Sequence, residues 1–235
     1  MKTLRHLQDT GADNMDFDQA IQERHSVRLY TEKIIEGDVL TSLQNEISRI
    51  NKESGMSIRL VLNEPKAFGR FLLKTVVKFK NAVNYMVISG PESDTLNLDA
   101  GYYGEQLVLY AQTLGLGTCW AMMTGKKEAD KGLPKGHKAV ILISIGYPEN
   151  PGVPHKSKPV SEVADVTDAP DWFVKGVEYA LLAPTGVNKQ GFKFERDNNK
   201  VRMIFGSSTL AQIDAGIVRF HFEYGAGTEN FVWTE

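Results

Sequence analysis

The chain has 235 residues, 42% hydrophobic and 24% charged, with 27 basic against 29 acidic side chains and a formal net charge of -2. That balance gives no global attraction to nucleic acid, and no apolar run approaches the ~20 residues a membrane-spanning helix needs, so neither is expected as a partner. Cys119 is the single cysteine, which excludes an intramolecular disulfide and suits a reducing, cytoplasmic setting.

Residues 1–15 read as a polar, flexible lead-in without the apolar centre of a secretory signal. In DFDQAIQER, Phe17 and Ile21 stand four apart and predict a short helix. It leads into RHSVR, where Arg24, Ser26 and Arg28 fall at every second position. On an extended backbone these three side chains share one face and converge on a common object. An anion fits: arginine offers a planar fork of donors suited to phosphate, and a hydroxyl adds one more hydrogen bond. An ordinary strand with solvated charges carries the same pattern, so the reading needs companions elsewhere.

From Glu36, apolar Val39, Leu40, Leu43, Ile47 and Ile50 predict an amphipathic helix, and SIRLVLN (57–63) and VNYMVISG (83–90) read as strands. DAGYYGEQLVLYAQTLGLG places small and apolar residues on nearly every face, the mark of a helix buried all round, with Gly115 or Gly117 as its C-terminal cap. Cys119 follows in GTCWAMM; with no basic neighbour in sequence it is expected to be a buried structural thiol. VILISIGYP (140–148) reads as an internal strand. Beyond PENPGVP come the polar connection HKSKP, a helix from about Asp171 to Leu182, the stretch APTGVNKQGF, short strands around FKFE and VRMIF, and a last helix marked by Leu210, Ile213, Ile217, Phe220 and Tyr224. Strands and helices alternate without a strict βαβ rhythm. The expected class is α+β, a mixed or antiparallel sheet wrapped by helices around the buried central helix.

GLGTCW has Trp120 where a dinucleotide fingerprint needs its last glycine, and it follows a helix rather than a strand. The five histidines show no paired ligand spacing, so no metal site is expected, and His221 is expected to be a satisfied core or boundary residue. Two stretches join RHSVR as companions. In HKSKP, Lys156 and Lys158 are two apart and add cations. In APTGVNKQGF, Pro184, Thr185 and Gly186 allow close backbone approach to a flat ring, and Asn188 and Gln190 can donate and accept at its edge; a helix-terminating loop would use the same residues.

Taken together, RHSVR, GLGTCWAMM, IGYPENPGVPHKSKP and APTGVNKQGF resemble the motifs of the flavin-dependent nitroreductase family across most of residues 17–225. The resemblance implies a nitroreductase-like fold and FMN as cofactor. Arg24, His25, Ser26, Arg28, Lys156 and Lys158 would bind FMN from one side, and Pro184, Thr185, Gly186 and Asn188 from the other. The backbone at Ala121 and Met122 would face the flavin nitrogen that accepts hydride. The Pro-Ser-x-x-Asn-like stretch stands late in this chain rather than early, with Thr185, Gly191 and Phe192 in place of the usual serine, proline and tryptophan. That order resembles a smaller group related to a thermophile nitroreductase, in which one domain (16–235) carries pseudo-two-fold halves, 16–150 and 160–235, as a monomer or as a homodimer. The implied function is hydride transfer from NAD(P)H through FMN to a nitroaromatic, quinone or similar small acceptor, with the flavin carrying the chemistry and no separate catalytic residue. The alternatives are a flavin-binding protein with little turnover, or an FMN enzyme of another reaction such as reductive dehalogenation or flavin breakdown.

Overall fold

The computed structural model describes residues 15–68, 79–121 and 129–234. Helix α1 (Phe17–Glu23) buries Phe17, Ala20 and Ile21, and the Asp16 carboxylate accepts the Gln19 N–H at its start. Helix α2 (Gly37–Ser54) buries Leu43, Ile47 and Ile50, the stripe expected from the spacing, and stops at Gly55 in the left-handed conformation. Strands β1 (Arg59–Val61) and β2 (Tyr85–Pro91) follow, then helix α3 (Leu96–Thr113), of which no residue is exposed.

Helix α3 ends in a paired-bond cap. The Leu116 N–H reaches the Ala111 carbonyl at 2.9 Å, the Gly115 N–H reaches that of Gln112 at 3.0 Å, and Gly115 has φ 74°. Of the two candidate glycines, Gly115 is therefore the stop. Gly117 instead opens strand β3 (Gly117–Ala121), an element the sequence did not predict, which pairs with β4 (His137–Gly146). The four strands form an antiparallel sheet in the order β1-β2-β4-β3.

Later in the chain come α4 (Val160–Val163), α5 (Asp171–Ala180), β5 (Phe192–Asp197), β6 (Lys200–Phe205), α6 (Thr209–Ala226) and β7 (Val232–Thr234). β5 and β6 pair antiparallel and β6 and β7 parallel, giving a three-stranded sheet. The class is α+β, as expected. The helix after Asp171 stops two residues short of Leu182, and α4 and β7, both very short, lack a periodic signal of their own.

The chain divides into two compact units. A four-stranded unit takes Glu23–Leu96 and Gln106–Pro154; a three-stranded unit takes Met1–Gln22, Asn97–Glu105 and His155–Glu235. In the four-stranded unit Val27, Tyr30, Phe68, Tyr85, Val87 and Leu142 share one apolar core. In the three-stranded unit the start of α3 crosses α6 through two glycines. A Cβ on Gly101 would stand 2.0 Å from the Ile213 carbonyl oxygen, and one on Gly216 2.0 Å from that of Leu98. Phe194 of β5 stacks on Phe222 of α6 at 4.5 Å between ring centroids. His221 and Glu105, both wholly buried, meet at 2.9 Å through Nε2, while His221 Nδ1 has no hydrogen-bond partner among the described residues. The histidine expected to be satisfied is thus satisfied at one nitrogen only. Among the described residues no helix is long and apolar enough to cross a membrane.

The glycine crossing yields a stability test. Gly216→Ala forces backbone against backbone and should cost about 1–3 kcal/mol of unfolding free energy in urea titrations. Gly191→Ala, whose new methyl meets only flexible Lys189 atoms at 3.7 Å, should change little.

Candidate functional site

The basic stretch lies in the four-stranded unit and is extended. Ser26 bridges Thr118 in parallel, the Val27 N–H donates to the Thr118 carbonyl at 2.8 Å, and across the next pairing the Lys80 N–H donates to the Arg28 carbonyl and the Tyr30 N–H to the Lys80 carbonyl, both at 3.0 Å. Glycine makes this approach possible: a Cβ on Gly117 would fall 2.8 Å from Val27 Cβ. On the other face, Val27 is buried and the His25 side chain faces Gly152, which has φ 80°. Tyr30 fixes the end of the stretch, its hydroxyl donating to the Val27 carbonyl and lying 2.7 Å from Ser144 Oγ.

The alternation therefore places Arg24, Ser26 and Arg28 on one face, and all three act on one neighbour, the Cys119 thiol of β3. Burial pushes that thiol up, outweighing the Arg28 and Arg24 charges and the Ser26 hydroxyl, which pull it down. Basic groups absent from the sequence neighbourhood of Cys119 thus reach it through the fold, yet the thiol stays neutral and free of any disulfide. It takes no charge from the arginines. Arg24 is 4% exposed and Arg28 is exposed; no carboxylate among the described residues forms an ion pair with Arg28. Ala121 ends β3, buried and paired with Leu142; Met122 lies outside the described residues.

The remaining candidates lie in the three-stranded unit, where they hold one another. Gln190, 2% exposed, is the centre: its Oε1 accepts the Lys158 N–H at 2.8 Å, its Nε2 donates to the Lys156 carbonyl and to Asn188 Oδ1, both at 2.9 Å, and its own carbonyl accepts from Lys158 Nζ at 3.0 Å. Asn188 Nδ2 also donates to the Lys156 carbonyl. The Lys158 ammonium is thus engaged within the protein, whereas Lys156 contributes its backbone here and its side chain is exposed. Thr185 Oγ1 accepts the Gln190 N–H at 3.0 Å, and the Gly186 N–H donates to both oxygens of Asp214 at 3.0 and 3.1 Å. Pro184 precedes this turn, half-buried.

Gln190, expected from sequence at a ring edge, instead bridges backbone of Lys156 and Lys158. Asp214 is the residue of this arrangement that the sequence reading leaves out, and its signal is a lone carboxylate inside the apolar run LAQIDAGIV of α6. Burial raises its pKa to about 6, against the Gly186 N–H and the Lys189 charge, which lower it.

Comparison with known proteins places these units. The family model described as "Putative TM nitroreductase" matches residues 16–226. A solved structure described as a "putative nitroreductase" from Thermotoga maritima is 23% identical with TM-score 0.66, covering 94% of this chain and 88% of its own. A "putative nitroreductase in complex with FMN" from Exiguobacterium sibiricum is 17% identical with TM-score 0.51, over 64% of this chain and 97% of its own. A "putative NAD(P)H:FMN oxidoreductase" from Staphylococcus epidermidis is 15% identical with TM-score 0.52, over 66% and 98%. No curated protein matches the chain. At these identities the structures establish the fold, and the family match, spanning nearly all described residues, establishes membership: the chain belongs to this nitroreductase family of oxidoreductases.

Proposed function

We propose that the protein is an FMN-dependent oxidoreductase that takes hydride from NAD(P)H and passes reducing equivalents to a flat small-molecule acceptor such as a nitroaromatic or a quinone. The observation that carries the reading is the face shared by Arg24, Ser26 and Arg28 in a chain whose family is one of nitroreductases. The donor set fits the phosphate of FMN. Two guanidiniums offer paired N–H donors, Ser26 adds a hydroxyl, Arg28 is exposed without an ion-paired carboxylate among the described residues, and the thiol beneath them is neutral. The names of the Exiguobacterium and Staphylococcus proteins, which mention FMN and NAD(P)H, support the same choice.

When bound, FMN supplies the hydride-accepting and hydride-donating chemistry. The chain's own part is to bind and orient. Arg24, held in the interior, sets the position of the anion; Arg28 adds charge from the solvent side; Ser26, tied to Thr118 through the bridge, fixes the spacing between them. The Ala121 backbone, at the end of a strand paired along its whole length with β4, is the rigid element offered to the flavin edge.

Purified protein reconstituted with FMN should be yellow and should bleach under anaerobic NADH or NADPH. A yellow protein that neither nucleotide bleaches would favour a binding protein with little turnover, and a protein that takes up no FMN would reject both. Arg28→Ala, at an exposed position that leaves the core intact, should weaken FMN binding by about 1.5–3 kcal/mol, the cost of a lost charge-assisted hydrogen bond, measured by quenching of flavin fluorescence. Unchanged affinity would remove Arg28 from the phosphate site.

A further inference from the structure

Under the Gly186–Gly191 loop of the three-stranded unit lies a cavity of about 410 Å³, within the range of small-molecule sites. Its apolar walls come from Phe192, Phe205 and Leu210, and its titratable groups are Asp214 and Lys189. Two features set it apart from an ordinary surface dent. The first is the backbone of the loop. Val187 stands at φ 49°, ψ 28°, a left-handed conformation that a β-branched residue avoids, and its side chain is 96% exposed, so no packing of its own compensates the strain; Asn188 and Gln190 also have positive φ. The second is Asp214. A carboxylate can accept about four hydrogen bonds, yet its one donor among the described residues is the Gly186 N–H, shared between both oxygens.

We infer that this cavity binds a small planar molecule that lays an apolar ring between the loop and Phe205 and presents a cationic, N–H-rich edge to Asp214. The start of α6 and Lys189 would on their own favour an anion. However, Ser208 already caps the helix by accepting the Ala211 N–H, and Lys189 is exposed at the rim, whereas the acid is half-buried with most of its acceptor capacity unused. Burial, outweighing the Gly186 N–H and the Lys189 charge, also accounts for the raised pKa of Asp214, near 6; a ligand that brings a positive charge to the carboxylate offsets that penalty. The inference goes beyond the flavin reading and does not use Arg24, Ser26 or Arg28.

Benzamidine and benzoate, nearly isosteric and opposite in charge, decide it. The 235-residue chain labelled with 15N-glycine carries three reporters in the cavity wall, Gly186, Gly191 and Gly206. Benzamidine at millimolar concentration should shift these three amide resonances in a saturable way while benzoate does not. Binding should be about tenfold tighter at pH 7 than at pH 5, because Asp214, with a pKa of about 6, passes from mostly ionised to mostly protonated over that interval while Lys189 and benzamidine remain charged. Asp214→Asn, which keeps an acceptor for the Gly186 N–H, should abolish the pH dependence and weaken binding about tenfold or more at pH 7; Phe205→Ala should weaken binding and leave the pH dependence in place. Benzoate binding as tightly as benzamidine, an affinity indifferent to pH, or no saturable shift would overturn the inference. Flavin content is read from the visible spectrum of the same sample, so failure of this site and failure of the FMN reading are separate results.

Discussion

The hydrogen bond from the Val27 amide to the Thr118 carbonyl, made possible by the missing side chain at Gly117, is the constraint on which the candidate phosphate site rests. It turns an otherwise ordinary run of charged residues into a strand edge with fixed alternation. Val27 goes into the core and Arg24, Ser26 and Arg28 go to the opposite face. Tyr30 holds the far end with two hydrogen bonds, to Val27 and Ser144. An anion site needs donors whose spacing is set before the ligand arrives, and this pairing fixes that spacing while Arg28 forms no ion pair with a carboxylate among the described residues.

The three-stranded unit solves a different problem, that of holding a turn in conformations its residues resist. Positive φ at Val187, Asn188 and Gln190 costs on the order of 1–3 kcal/mol per strained residue, less where asparagine is concerned. The buried Gln190 side chain offsets this by tying the turn to Lys156 and Lys158, and Asp214 ties it to α6. Here the lysines that looked from sequence like spare cations serve partly as scaffold: the Lys156 carbonyl and the Lys158 amide and ammonium are all used by the loop.

What the sequence made legible follows from which signals are local. The α2 stripe, the all-round burial of α3, a glycine stop at 115 or 117 and the Arg-Ser-Arg alternation depend on periodicity or on one residue's backbone freedom, and each appears in the structure, the stop at Gly115. Strand β3 was not legible, because GTCWA becomes a strand only by pairing with β4, more than fifteen residues away. The same holds for the surroundings of Cys119, whose basic neighbours come from a different segment, and for His221, whose hydrogen-bond partner Glu105 lies on another helix. Asp214 was visible as an anomaly in an apolar helix, but its role required knowing that the Gly186 loop folds back onto it.

The central claim is that the extended basic stretch recognises the phosphate of a flavin mononucleotide rather than the ring alone. Its most direct test is to titrate the protein with FMN and with riboflavin, which differ only by that phosphate, and to follow flavin fluorescence. With charge-assisted hydrogen bonds of about 1.5–3 kcal/mol each, loss of two or more should make riboflavin bind roughly a hundredfold more weakly or worse. Equal affinity for the two flavins would contradict the account.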